Sequence, residues 1–311
     1  MKILLTGASS FTGYWFATKL ISEGHDVTAI FTRENAGAYP PERLKRIGLL
    51  GKDVHAVYGC KFGDNTFIKL LKEEKFDVLC HHAAEVTNYK QADFDIVKAV
   101  AANTLNIHTV FVALKDTGCK LVITGSVFED INKVDDSNQS QKHFSGYGLS
   151  KSISSDLFHY YARQFDVNIG KFIISNPFGA FEEKRFLNYL ITGWLNNESR
   201  SVNTPDYVRD NIHVELLASY YAYFIEQVAV SKDPVMSLAP SGYIETQGDF
   251  AARVAYEMST RLNKDCIVLN NEQKDFSEPL TLFNSDKIVE IESRFDAQKA
   301  WDELAAFYMA G

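Results

Sequence analysis

Short continuous apolar runs recur along the first half of the chain, each followed by a stretch with helical spacing. Ile3–Thr6, His25–Phe31, Val54–Tyr58, Phe76–Cys80, Lys120–Thr124 and Val167–Ile174 have strand length and little polar alternation. That pattern is expected of strands buried on both faces. Tyr14–Ile21, Asn65–Lys72, Phe94–Leu114 and Gly148–Phe165 instead carry amphipathic helical patterns, the last with Leu149, Ile153, Leu157, Tyr160 and Tyr161 as its apolar stripe. Strands alternating with helices predict right-handed crossovers and an α/β fold, a doubly wound parallel sheet covered on both faces. Beyond Asn176 the alternation loosens. Helical patterns at Phe186–Leu195, His213–Val228, Gln247–Leu262 and Ala297–Met309 and a strand at Pro234–Ala239 predict a smaller C-terminal α/β region. The chain is therefore divided into residues 1–175 and 176–311, with later segments returning to the first unit. No linker rich in proline or glycine marks the boundary.

Thr6-Gly-Ala-Ser-Ser-Phe-Thr-Gly13 sits between the first strand and the first helix. Small residues in that position let backbone amides and a helix N-terminus hold a pyrophosphate, so the sheet is read as a Rossmann dinucleotide-binding fold. A second feature is Tyr147-Gly-Leu-Ser-Lys151, at the start of a helical pattern. Residues at i and i+4 share a helix face, and an ammonium beside a phenol favours the phenolate. The spacing therefore predicts a tyrosine lowered from its ordinary pKa of about 10 toward a useful proton donor and acceptor.

Composition removes several alternatives. The 311 residues are 46% hydrophobic and 23% charged, with a formal net charge of −8. That charge argues against a nucleic-acid binder. Cys60, Cys80, Cys119 and Cys266 lack the spacing of a disulfide framework or zinc ribbon. Cys80-His81-His82 cannot easily share one metal, because adjacent strand residues face opposite ways. The opening apolar run is too short for a signal peptide, and no run approaches the length of a membrane span. The expectation is a soluble cytoplasmic protein with no metal and no membrane partner.

Taken in order, the motifs resemble those of the extended short-chain dehydrogenase/reductases, especially nucleotide-sugar epimerases, dehydratases and ketoreductases. Thr6-Gly7-x-x-Ser10-x-x-Gly13 is similar to the family's glycine loop, with Ser10 replacing its middle glycine. His82-Ala83-Ala84, Asn103, Ser126 at the end of the fifth strand, Tyr147 with Lys151, Asn176-Pro-Phe-Gly179 and Arg209-Asp-Asn-Ile-His-Val214 follow in family order. The resemblance implies a catalytic set of Ser126, Tyr147, Lys151 and Asn103. It implies cofactor contacts from Gly7, Ser9, Ser10, Phe11, Gly13, Thr32, Arg33, His82, Ala83, Ala84, Tyr147 and Lys151. Ser126, Asn176 and Arg209 are implied to meet a nucleotide-sugar substrate. His213 is read as structural. The helical patterns at 94–114 and 148–165 correspond to those that form a four-helix interface in the family, implying a homodimer.

Where members binding NAD carry an acid at the end of strand two, this chain has Phe31, followed by Thr32 and Arg33. A guanidinium suits a 2′-phosphate, so NADP is expected, with NAD possible. Ser126-Val127-Phe128 lacks the acid–base pair that dehydratases carry directly after the catalytic hydroxyl, and Glu129 is read as too far along to serve. The leading expectation is reduction of a 4-keto sugar, with Tyr147 as proton donor. One alternative is a 4-epimerase with retained NAD; another is a non-catalytic NADP sensor or scaffold.

Overall fold

The protein is described from a computed structural model covering residues 1–91, 93–129, 145–274 and 276–310. The first half forms β1 (Lys2–Thr6), α1 (Phe11–Ser22), β2 (Asp26–Phe31), α2 (Pro41–Leu50), β3 (His55–Tyr58), α3 (Asn65–Glu74) and β4 (Val78–His81). Then come α4 (Ile96–Asn103), α5 (Ile107–Thr117), β5 (Lys120–Ser126), α6 (Gly146–Phe165) and β6 (Ile169–Ile174). The sheet runs β3-β2-β1-β4-β5-β6, and Val235–Leu238 is added beside β6 as a seventh strand. Every neighbouring pair is parallel. The strand order reverses between β1 and β4, which opens a crevice at their carboxyl ends.

Alternation along β1 sends Leu4 and Leu5 to opposite cores. Leu5 joins Phe16, Leu20, Tyr221 and Phe224 under α1 and the helix Val214–Val230, and Leu4 joins Phe67, Phe111, Leu121 and Phe158 under α3, α5 and α6. Helix Val214–Val230 thus supplies a layer of the first unit from the second half of the chain. Lys120 anchors its end by donating to the carbonyls of Val228, Ala229 and Ser231, a favourable place for a cation.

The C-terminal region has its own small sheet. Val208–His213 is paired in parallel with Asn176–Phe178 and Thr281–Leu282, and antiparallel with Tyr243–Thr246. A third core of Phe178, Leu190, Trp194, Phe250, Met258 and Trp301 lies against it.

Two sequence expectations need correction. The pattern at 94–114 is two helices, not one, broken at Thr104–Asn106 with Asn106 at φ 50°. The loop after β3 presses on that break: a Cβ on Gly63 would lie 1.8 Å from the Leu105 carbonyl oxygen, and the Asn106 amide donates to the Gly63 carbonyl. Ile96–Thr117 as a whole also has the length and mean hydropathy (1.3) of a membrane span, contrary to the reading that no run approaches one. In the structure it is two short helices packed along α3 and α6.

Candidate active site

The glycine loop is held by backbone contacts that leave no room for side chains. Gly7 has φ +82°, and a Cβ there would lie 2.9 Å from the Ala83 nitrogen; one on Gly13 would lie 2.2 Å from the Gly7 carbonyl oxygen. Ser10 caps α1. Its hydroxyl donates to the Gly7 carbonyl at 2.8 Å and accepts from the Gly13 amide at 3.1 Å. The amides of Phe11 and Thr12, the first two of the helix, have no intrahelical partner. They and the helix N-terminus fit a phosphate. Ser9 is buried, and its carbonyl accepts a hydrogen bond from the fully buried Arg46, which also reaches the Phe181 carbonyl and Glu183.

His82 stands beneath this loop, with Nε2 2.9 Å from the Thr12 hydroxyl and 3.2 Å from that of Ser10. Its Nδ1 lies 3.1 Å from the Thr124 hydroxyl. His81 turns to the opposite face, stacked on Phe62 and bonded to the Asn103 carbonyl and the Thr6 hydroxyl. Burial, aided by the charge of Lys151, lowers both imidazoles to about 3, so both are neutral. Ala83 is fixed by its amide donating to the Thr6 hydroxyl.

Ser126 ends β5 and Tyr147 lies in the first turn of α6, with the Ser126 hydroxyl among the groups that act on the phenol. Lys151, one turn along α6, donates to the Thr124 carbonyl at 2.5 Å. The structure therefore brings Ser126, Tyr147 and Lys151 together beside His82 and the loop. It does not lower the phenol. Burial raises the Tyr147 pKa first, and Glu129 and Tyr89 raise it further against Arg185 and the Ser126 hydroxyl. The helical spacing carried no information about that burial.

Other expected residues are placed differently. Asn103 ends α4 with its side-chain oxygen accepting the Glu85 amide and its nitrogen near Ser154; it holds the backbone beside the site. Thr32 and Arg33 are exposed past β2, Phe31 is buried on Tyr58, and among the described residues Arg33 forms no ion pair. Arg209 is committed to the protein. It pairs with Glu278 at 2.8 Å, donates to the Val208, Pro279 and Leu280 carbonyls, and lies 4.4 Å over Tyr207. A buried guanidinium requires such partners. Asn176 faces Asn211 across paired strands, and the amide nitrogens of both are buried without a partner among the described residues.

Glu129 was set aside in the sequence and belongs to the site. Its amide donates to the Ser126 carbonyl, closing a tight turn, and its carboxylate accepts the Ser126 amide at 2.8 Å. An acid three residues past the strand, at the spacing of one turn, was the available signal.

Sheet order, loop and hydroxyl pair define a doubly wound, dinucleotide-binding type of α/β enzyme. A sequence model of the NAD dependent epimerase/dehydratase family matches residues 3–238. The chain belongs to that family, which is of the extended short-chain dehydrogenase/reductase type. No curated protein sequence matches it. Among solved structures, UDP-glucuronic acid 4-epimerase from Bacillus cereus, in complex with UDP-glucuronic acid and NAD, superposes with a TM-score of 0.73 at 15% identity over 100% of this chain and 99% of that one. UDP-glucose 4-epimerase from Thermus thermophilus, in complex with NAD, gives 0.72 at 14% identity over 100% of each chain. UDP-N-acetylglucosamine 4-epimerase from Methanobrevibacter ruminantium gives 0.71 at 17% identity over 99% and 98%. At these identities the likeness is one of fold.

Proposed function

We propose that this protein is a nucleotide-sugar 4-epimerase that retains NAD through its turnover. The observation that carries the reading is the Ser126–Tyr147 hydroxyl pair, with Lys151 one turn on, at the sheet end that also bears the glycine loop. The three solved 4-epimerases support it over simple reduction. Gly7, Phe11, Thr12 and Gly13 would hold the pyrophosphate, and Ala83 and Lys151 would line the path to the nicotinamide end. When bound, the nicotinamide supplies the hydride acceptor and donor, and a positive ring beside the phenol. In its ionised form, Tyr147 would take the proton of the sugar's C4 hydroxyl and later return it. Ser126 holds the same oxygen within reach of the phenol. The free amides of Asn176 and Asn211 suit the phosphate-sugar portion. Arg209 meets the substrate only by exchanging Glu278 for it.

One observation favours the second reading, a ketoreductase using NADPH: Phe31 is buried where an acid would hold the ribose, and Arg33 is exposed beyond it. Incubation with UDP-glucose, UDP-glucuronic acid and UDP-N-acetylglucosamine, and separately with NADPH and a UDP-4-keto sugar, separates the two. Formation of the C4 isomer without net change in nicotinamide absorbance supports the epimerase. Net oxidation of NADPH by a 4-keto sugar, with no isomerisation, supports the reductase and overturns the main reading.

We also propose a homodimer through α4, α5 and α6, where Val97, Leu105, Ile153 and Tyr160 are exposed. Light scattering at twice the 35.1 kDa chain mass supports it, and the mass of one chain contradicts it.

A further inference from the structure

Three hydroxyl side chains meet one imidazole under the glycine loop. His82 Nε2 lies 2.9 Å from the Thr12 hydroxyl and 3.2 Å from that of Ser10, and Nδ1 lies 3.1 Å from the Thr124 hydroxyl. The ring is packed edge-on against Phe16, with centroids 5.1 Å apart. It is neutral and so carries a single N–H. The hydroxyls around it decide which nitrogen holds that proton.

Ser10 settles the choice. Its own proton goes to the Gly7 carbonyl at 2.8 Å, and its oxygen accepts from the Gly13 amide at 3.1 Å. Toward His82 it offers only its second lone pair, which requires the proton on Nε2. The Nε2–H is then shared between Ser10 and Thr12 in a three-centre bond, and Nδ1 accepts the Thr124 hydroxyl proton. Thr12 is therefore an acceptor toward His82. Among the described residues its own hydroxyl proton meets no acceptor. Thr12 is half-buried at the start of α1, where its amide and that of Phe11 also lack an intrahelical partner.

We propose that Thr12 is a phosphate-binding side chain of the cofactor site: with His82 donating to its oxygen, its hydroxyl proton is left for a pyrophosphate oxygen, a third donor beside the two amides. The inference rests on the dinucleotide site of the proposed function, to which it adds one side-chain contact and the residue that supports it. His82 is a positioning residue that acts through Thr12. A donor already oriented by a neighbour loses less freedom when the ligand arrives, and a hydrogen bond to a charged oxygen is stronger than one between neutral groups. Ser10, in place of the family's middle glycine, fixes the tautomer that this arrangement needs.

The test is calorimetric titration of the full chain, cleared of bound nucleotide, with NAD, ADP and adenosine. Thr12→Val keeps the side-chain shape and removes the hydroxyl. It is expected to weaken NAD and ADP by about tenfold, as for one hydrogen bond to a charged acceptor, and to leave adenosine unchanged. Thr12→Ser keeps the hydroxyl and is expected to bind all three like the parent. His82→Phe keeps a ring against Phe16 without the N–H. It is expected to weaken ADP by itself and to add almost nothing to Thr12→Val, because residues acting through one group are not additive. ADP affinity unmoved by Thr12→Val, an equal loss for adenosine, a Thr12→Ser variant as weak as Thr12→Val, or losses from His82→Phe and Thr12→Val that add in full would each overturn the proposal. Should His82→Phe not fold, the two Thr12 variants decide it. The titration needs no sugar. Affinities that move as expected without sugar turnover count against the proposed function alone. Sugar turnover with NAD affinity unmoved by Thr12→Val counts against the Thr12 contact alone, and a parent that binds neither NAD nor ADP overturns both.

Discussion

Tyr147 carries the chemistry, and its phenol is the group whose loss should be felt most. Tyr147→Phe is expected to lower turnover by about 10²–10⁴-fold, the range for a positioned acid–base group, while cofactor affinity measured by calorimetry is unchanged. Ser126→Ala is expected to cost about 10²-fold in kcat, as for one donor to a reacting oxygen. Tyr147, Lys151 and Ser126 were legible in the sequence because their roles depend on helix period and strand ends, which apolar patterning reveals. The protonation state of the phenol was not legible. Its pKa is raised by burial and then by Glu129, whose carboxylate accepts the Ser126 amide in a turn closed by the Glu129 amide on the Ser126 carbonyl. The engagement of Arg209 was equally hidden, because Glu278 lies far along the chain and meets it only in the folded protein.

At the scale of the element, α1 and its loop decide whether a dinucleotide fits. Gly13→Ala places a Cβ 2.2 Å from a backbone oxygen. It is expected to abolish cofactor binding and to destabilise the protein by about 1–3 kcal/mol, the cost of overpacking. Ser10→Ala removes the helix cap and the contact to His82. An unfolding midpoint in denaturant should report a loss of about 1–2 kcal/mol. The order of strands through β6 followed from alternation alone, because the central strands β1, β2, β4 and β5 are almost wholly buried, while β3 at the sheet edge is half-exposed. α2 was missed, since it begins at Pro41 and shows only a narrow buried edge of Arg46, Ile47 and Leu50. The break between α4 and α5 was missed because Asn106 adopts a left-handed conformation to meet Gly63, a contact between distant residues.

For the whole molecule, stability should depend on three desolvated histidines, of which His81 and His213 are buried and His82 half-buried. His81, His82 and His213 are lowered to about 3 by burial. Their folded values lie below the unfolded value of about 6.5, so the unfolded chain binds more protons between these limits and stability falls as pH drops below 6.5. Each histidine should contribute about 2 kcal/mol less at pH 5 than at pH 7. Glu182 and Glu215, raised by burial to about 8 and about 7, act in the opposite sense as pH falls and offset part of the loss. The difference made by one residue isolates the effect. His213→Asn, which keeps a side-chain acceptor at the helix cap now formed by His213, should reduce the slope of unfolding free energy against pH by about one proton in this window. An unchanged slope would show that His213 titrates normally.

The central claim joins that fold to one reaction, and a single assay bears on it most directly. Purified protein is incubated with each UDP-sugar, and separately with NADPH and a UDP-4-keto sugar, while the products are followed by proton NMR and the nicotinamide by absorbance. The account predicts a C4-epimeric product at constant nicotinamide absorbance, lost in Tyr147→Phe. Isomerisation that survives in Tyr147→Phe, or consumption of NADPH with no epimer formed, would contradict it.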